Sequence, residues 1–288
     1  REQCMSQNSK INFTLFAQNT DVDYVQQACL CAMSIKNSNP NSSICLVTND
    51  IVPDKYQNLF DYIKEIPWGD AAQGQEWKIH NRWKVYHVTP YDSTIVLDVD
   101  MLVLDDISRW WEFLQTKDLF FTSNVRTYRN DIVTSRFYRP AFDKFHLPDT
   151  YVGFYYFKKS DLAHTYFKWL ELAVNNWEKF QGEFAGGKYY QRVASIDMLT
   201  AIIIKILGIE NEVTCKVRDY PHFTHMKLHC QNWTNVKVDS WQKYVGTYLT
   251  NDGKLKIGNY FQQGVFHYTE DDFVNDRIIE IYEKLVGV

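Results

Sequence analysis

The chain is predicted to fold as an α/β protein, with a Rossmann-like, mostly parallel central sheet flanked by helices in a single domain over residues 1–288. Three observations predict it. Strand-like and helix-like segments alternate through the first hundred residues, as a doubly wound sheet requires. The run Thr-Ile-Val-Leu at 94–97 is β-branched and apolar without alternation, which implies a strand buried on both faces. A chain of 288 residues with 45% hydrophobic and 16% aromatic content can also bury a large core.

In order, residues 11–17 read as the first strand. Residues 24–35 read as a helix on Tyr24, Ala28, Ala32 and Ile35, with Asp21-Val22-Asp23 in front as N-terminal capping. Residues 44–48 form a strand ending at the turn-like Asn49-Asp50, followed by a helix over 54–62, a short strand over 62–66 and a helix over 77–88. The strand at 94–97 closes this series. The second half is mixed. Residues 151–157 form an aromatic strand, and 162–177 a helix with apolar residues at 162, 166, 170, 173 and 177. Residues 195–207 are a strongly apolar helix. Residues 181–194, with Gly186-Gly187, lack periodicity and read as a mobile loop near a site. Residues 271–285 close the chain as an amphipathic helix on Val274, Ile278, Ile281 and Leu285, with carboxylates in its first turn. Repeats, low-complexity stretches and an interdomain linker are all missing.

A net charge of −4 and a pI near 6.1 give no global pull toward nucleic acid. No apolar run reaches the eighteen residues of a membrane span, and no signal peptide is visible. The chain begins at Arg1 rather than Met, which leaves room for a preceding piece. Its six cysteines, Cys4, Cys29, Cys31, Cys45, Cys215 and Cys230, include no C-x-x-C pair, so free and mostly buried thiols are expected. The N-x-[ST] sequons at Asn12, Asn41 and Asn232 are no more than chance gives in a chain this rich in Asn, Ser and Thr. A reducing, cytoplasmic setting is therefore expected.

The chemistry concentrates after the 94–97 strand, where Asp98 and Asp100 stand two residues apart. Ligands of parallel sheets collect at the carboxyl ends of strands. Two hard oxygen donors at that place suit a divalent cation held against a diphosphate. Asp-x-Asp alone is common, and the strand in front of it is what gives it weight. G-x-G-x-x-G after the first strand, G-x-x-x-x-G-K-[ST], H-E-x-x-H and G-x-S-x-G are all missing. Dinucleotide oxidoreductases, P-loop enzymes and α/β-hydrolases are thereby disfavoured. An α/β protein without a glycine cradle for phosphates, but with carboxylates at a strand end, suggests that a metal neutralises them.

These features resemble the GT-A fold glycosyltransferases, most closely the glycogenin-like family eight, and are similar too to glycosyltransferases encoded by bacteriophages. Residues 13–35 resemble the nucleotide-binding first strand and helix, with Ala17-Gln18-Asn19 in the base-contacting turn. Residues 77–100 resemble the helix, strand and Asp-x-Asp unit, with Arg82 as the basic residue sixteen positions before Asp98. Gly264-Val-Phe-His-Tyr268 resembles the late segment whose histidine completes the metal site. The resemblance implies donor contacts from Ala17, Gln18, Asn19, Tyr24, Arg82, Asp98 and Val99. It implies Mn²⁺ or Mg²⁺ on Asp98, Asp100 and His267, and catalytic roles for Asp197 and Arg82. It makes residues 1–100 the nucleotide-binding half and 101–288 the acceptor half, and it implies retention of anomeric configuration. Two departures stand out. Tyr151-Val152-Gly153 replaces the family's Asn-Ser-Gly, and Thr269-Glu270-Asp271 stands where a Lys-Pro-Trp often follows the late histidine.

Several residues carry two readings. A lone His267 between aromatics is more often a packed core histidine, and the resemblance alone makes it a ligand. Asp197, at the start of the apolar helix, reads equally as an N-terminal cap and as the family aspartate beside donor and acceptor sugars. His222, His225 and His229, at i, i+3 and i+7, would share a helical face, which reads better as a surface-to-core transition than as a metal site. Residues 126–144 carry Arg126, Arg129, Arg136, Arg139 and Lys144 among Tyr128, Phe137 and Tyr138. That is either a solvated loop or an anchor for phosphates.

The function read from the sequence is a metal-dependent glycosyltransferase that takes a nucleotide sugar, a UDP sugar foremost, to an acceptor. Hydroxymethylated pyrimidines of phage DNA would use the arginine segment. A saccharide or lipopolysaccharide is the alternative acceptor. A non-catalytic nucleotide-sugar-binding module and a metal-dependent nucleotidyltransferase are the rivals from other classes, and the latter lacks its glycine-rich loop.

Overall fold

The computed structural model describes residues 10–75, 78–189, 193–215, 221–237 and 239–288, with the side chains of Ser135 and Arg136 excluded. The central sheet is built from β1 (Asn12–Phe16), β2 (Ser43–Val47), β3 (Tyr62–Lys64) and β4 (Ser93–Leu97). With these, β5 (Met101–Val103), β6 (Leu119–Thr122), β7 (Asn124–Arg126) and β8 (Tyr151–Lys158) follow in chain order. The strand order is β3-β2-β1-β4-β8-β6. The first four strands run parallel, and only β8 runs against its neighbours. The expected mostly parallel sheet is therefore present. The direction of the 151–157 strand had no signal in the sequence.

The lack of alternation at 94–97 has its predicted cause. Ile95 and Leu97 face one core with the helices Tyr24–Ser38 and Asp276–Val286, while Val96 faces the other with the helix Asp161–Asn175. Thr94 is also buried, its hydroxyl 2.9 Å from that of Thr14. Each fully buried side chain of this size contributes about 1.5–3 kcal/mol over an exposed one.

A second sheet, β5-β13-β9-β7, stands beside the first and uses β9 (His222–His225) and β13 (Val265–His267). Because β5 leaves β4 after only three residues, Asp98-Val99-Asp100 is the turn where the chain crosses from one sheet to the other. A small antiparallel sheet, β10 (Thr247–Leu249), β11 (Leu255–Ile257) and β12 (Tyr260–Phe261), completes the strands.

Several expected elements are corrected. Residues 54–62 form a 3-10 helix, Asp54–Leu59, behind Pro53. Residues 77–88 form a 3-10 helix, Ile79–Lys84, with one α-turn, Val85–Val88, and Trp77 lies outside the described residues. Buried Asn81 and Lys84 hold it in place by donating to Gln18 and to the Gly69 carbonyl, contacts that override a regular amphipathic helix. The closing helix is split: a 3-10 turn, Asp271–Phe273, precedes Asp276–Val286, whose start is set by Asn275 accepting from the Ile278 N–H. The helix Trp177–Phe184 and a 3-10 turn, Gly187–Tyr189, occupy half of the expected 181–194 loop, and residues 190–192 lie outside the described set. Cys29, Cys31, Cys45 and Cys230 are free and buried and Cys215 is free and half-buried, as expected, while Cys4 is not among the described residues. Among the described residues no helix is long and apolar enough to cross a membrane.

Candidate active site

The turn after β4 projects Asp98 and Asp100 from the carboxyl end of the parallel sheet. Asp98 is fixed by its backbone N–H, which donates to the Gly153 carbonyl at 2.9 Å. Its Oδ1 lies 3.0 Å from Nη1 of Arg82, the basic residue sixteen positions upstream. β13 supplies the third group. It pairs antiparallel to β5 with His267 opposite Met101, the residue after Asp100, and this register sets His267 Nε2 2.7 Å from Asp100 Oδ2. One ligand atom from each of Asp98, Asp100 and His267 lies within 4.8 Å of the others.

Two carboxylates and an imidazole form a hard, anionic donor set of the kind Mn²⁺ and Mg²⁺ take. With Nε2 directed at Asp100, Nδ1 of His267 is buried without a hydrogen-bond partner. Burial works to raise the Asp100 carboxyl, but His267, through charge and hydrogen bond, and then Lys227 outweigh it and bring it below the ordinary carboxylate value. The group is thus held ionised, as a metal ligand must be. The donor set and the charge fit a divalent cation.

Gly153 allows this crowding. A Cβ on it would stand 2.6 Å from Met101 Cε and 3.3 Å from Asp98 Oδ2. The glycine of Tyr151-Val152-Gly153 is therefore needed for close approach, even though the two residues before it depart from the family pattern.

A cavity of about 580 Å³ opens beside the cluster, walled by Asp98, Gly153, Asp197, His225, Lys227 and His267 together with the aromatic Tyr138, Phe142, Tyr151 and Tyr189. Asp197 does not cap its own helix. Ser195 does that, accepting from the Met198 N–H. Asp197 Oδ1 instead accepts from the Val152 N–H at 2.8 Å, tying the start of β8 to the helix Ile196–Leu207, and its Oδ2 lies 3.4 Å from Arg139 Nη1. Burial raises the Asp197 carboxyl above its ordinary value despite Arg139 and the Val152 N–H. Arg139 is sandwiched with its guanidinium carbon 3.9 Å from the Phe142 ring centroid and 3.6 Å from that of Tyr151, and it also bonds Asp149.

The expected base-binding residues lie at the end of β1. Ala17 is buried and bonds the Val47 carbonyl, Gln18 accepts from Asn81, and Asn19 accepts from the Val25 N–H. Tyr24 begins the helix capped by Asp23, as the sequence implied; burial first, and then Asp271 and Asp100, raise its phenol, which puts it on the metal side of that turn. Val99 is buried between the two carboxylates.

The arginine segment is used internally. Arg126 bonds Asn130 at 2.6 Å, Arg129 bonds the Gln231 carbonyl and pairs with Asp131, and Arg139 bonds as above. The side chain of Arg136 lies outside the described residues. These guanidinium groups do not form the open row that a nucleic-acid backbone would need. The helical face of His222, His225 and His229 is likewise corrected. His222–His225 is the strand β9, held by β13 and β7, and the three histidines point to different places. Sequence reasoning missed His225, whose ring lies flat on that of His267 with centroids 4.6 Å apart. The in-register pairing of β9 with β13 creates that contact, and no local pattern announces it.

No family model matches the chain, and no curated protein matches it in sequence. Among solved structures it is similar to the galactosyltransferase LgtC in complex with donor and acceptor sugar analogs. The two share 15% identity and a TM-score of 0.54 over 96% of this chain and 97% of that one. An active-site mutant of LgtC aligns over 96% and 95% at 15% identity and a TM-score of 0.52. Mouse xyloside xylosyltransferase 1 aligns over 90% and 97% at 11% identity, with a TM-score of 0.49 too low to carry weight. Likeness at this identity is likeness of fold, and it does not select among the families that share the fold. The chain has the GT-A glycosyltransferase fold in a single domain.

Proposed function

We propose that the protein is a divalent-metal-dependent glycosyltransferase that moves a sugar from a nucleotide sugar, foremost a UDP sugar, to a saccharide acceptor. The observation that carries this reading is the cluster of Asp98, Asp100 and His267 at the carboxyl end of the parallel sheet of a GT-A fold, opening into the 580 Å³ cavity. Asp98, Asp100 and His267 would hold Mn²⁺ or Mg²⁺, which when bound neutralises a diphosphate and stabilises the charge that develops as the nucleotide leaves.

The chain's own residues have distinct parts in this account. Ala17, Gln18, Asn19 and Tyr24 line the side on which the nucleoside would lie. Arg82, locked to Asp98, keeps that carboxylate oriented and adds positive charge beside the phosphates. Asp197 stands across the cavity with one oxygen fixed by the Val152 N–H, placed to accept a hydroxyl hydrogen from the transferred sugar or the acceptor. Tyr138 and Tyr189 offer faces on which sugar rings pack and exclude water, while Phe142 and Tyr151 hold Arg139 between them. Transfer with retention is the stereochemical expectation from the family resemblance.

A saccharide is favoured over DNA as acceptor. Arg126, Arg129 and Arg139 have internal partners, and LgtC, of the same fold, was crystallised with an acceptor sugar analog. The test is a panel of nucleotide sugars, scored for hydrolysis and for transfer to a set of oligosaccharides and to hydroxymethylated DNA, with Mn²⁺ and with EDTA. Metal-dependent turnover of one donor onto a saccharide is expected. Turnover undiminished in EDTA, or transfer to DNA alone, contradicts the reading.

A further inference from the structure

Around the metal cluster the charges are nearly all paired. Asp98 stands against Arg82, Asp197 against Arg139, and Asp100 against His267. Lys227 lines the same cavity and makes no ion pair with any described residue. It is exposed on the 3-10 turn Met226–Leu228 that follows β9, and its position is set by its neighbours, because Met226 and Leu228 are fully buried. It shares that cavity with Asp98, Asp197 and His267. His225, two residues back, lies flat against the His267 ring. The segment after His267 offers no cation either. Thr269 is neutral, Glu270 is tied to Ser240, Trp241 and Gln242, and Asp271 to Gln27.

We infer that Lys227 binds the diphosphate of the donor, and then the nucleoside diphosphate that departs. The inference rests on the nucleotide-sugar reading above and adds to it the residue that meets the phosphates from the side of the second sheet. In the transfer, the bond between the anomeric carbon and the β-phosphate oxygen breaks with its electron pair left on that oxygen. The acceptor hydroxyl oxygen bonds the anomeric carbon, and its proton leaves with the nucleoside diphosphate. Lys227 forms no covalent bond in the step. A compact ammonium with three donors suits phosphate oxygens whose charge grows as the bond breaks. A cation without an ion pair among the described residues also suits a cavity that borders carboxylates and must still attract an anion.

The test is calorimetric titration of UDP, GDP, ADP and CDP in the presence of Mn²⁺, followed by the monophosphate of whichever nucleotide binds. It uses the wild type, Lys227→Ala and Lys227→Arg. Lys227→Ala is expected to weaken the diphosphate roughly ten- to hundredfold, the size of a charge-assisted hydrogen bond, and the monophosphate far less. Lys227→Arg should restore most of the loss, and the melting temperature should not move because the side chain is exposed. Unchanged diphosphate binding by Lys227→Ala, or equal losses for diphosphate and monophosphate, overturns the inference and leaves the glycosyltransferase reading standing. A wild type that binds none of the four diphosphates overturns the nucleotide-sugar reading and this inference with it.

Discussion

His267 and Asp100 meet across two sheets, with Nε2 of the histidine 2.7 Å from Oδ2 of the aspartate. Asp100 arrives on the turn after β4 and His267 at the end of β13, and only the pairing of β13 with β5 brings them together. His267 also packs on Phe223 and His225, so the metal reading and a core role are separated by substitution. His267→Ala is therefore expected to raise the Mn²⁺ concentration needed for half-maximal turnover by about ten- to a hundredfold, with a small loss of stability. Turnover against Mn²⁺ concentration, alongside a melting curve, checks this. A variant that is unfolded at every metal concentration would show the residue to be a core histidine.

Asp197 separates a structural from a chemical role. Asp197→Asn keeps an oxygen for the Val152 N–H but not the charge that faces Arg139, so its melting temperature should fall less than that of Asp197→Ala, while turnover falls on the order of a hundredfold. Asp197→Ala should also lose about 1–3 kcal/mol of stability, because the Val152 N–H and Arg139 both lose a partner. Full turnover by Asp197→Asn would reduce the residue to a strap between β8 and the helix Ile196–Leu207.

Gly153→Ala tests the crowding at the cluster. The new methyl would meet Met101 Cε, which can swing away, and Asp98 Oδ2, which must yield a few tenths of an ångström. The expected cost in stability is about 1–3 kcal/mol. Metal affinity should fall with it, because Asp98 moves out of register with Asp100 and His267. Unaltered Mn²⁺ binding in the variant would show that the close approach has no part in ligation.

Far from the site, Asp61 predicts a pH dependence of the fold itself. Burial works to raise its carboxyl, but Lys10, the Ile44 N–H and Lys36 outweigh it and lower the group to about 2 from an ordinary 3.8. A lowered folded value means stability that is present above 3.8 and lost as the pH falls toward about 2. Asp61→Asn should be less stable than the wild type by about 1–2 kcal/mol at neutral pH, and the gap should close through that acid window. Denaturant midpoints at several pH values measure it. A gap independent of pH would assign the effect to packing.

The first half of the fold was legible because long-period signals fixed it. Apolar runs at β1, β2 and β4 and the helix behind Asp23 each span enough residues for their pattern to show. Asp98 and Asp100 were legible because they follow directly on a strand that the sequence marks clearly, whereas Arg82 was singled out only by the family resemblance. The second sheet was not. Its strands have three or four residues, too few to separate alternation from helical spacing, so His222, His225 and His229 were given a helical face. The arginine segment failed differently. Arg126, Arg129 and Arg139 look like a basic surface in one dimension, but Arg126 bonds Asn130 within the segment, and Gln231, Thr150 and Asp197, which engage Arg129 and Arg139, come from beyond it. Lys227 had no signal at all, since it owes its place to the turn between two buried residues.

The central claim is that Asp98, Asp100 and His267 together hold a divalent cation that carries a nucleoside diphosphate. The most direct measurement is a Mn²⁺ titration followed by electron paramagnetic resonance, with and without UDP, on the wild type, Asp98→Asn and Asp100→Asn. The account predicts one Mn²⁺ site per wild-type chain, tightened by UDP, and loss of that site in both variants while their melting curves stay close to the wild type. Retention of the same UDP-dependent site in Asp100→Asn would contradict it.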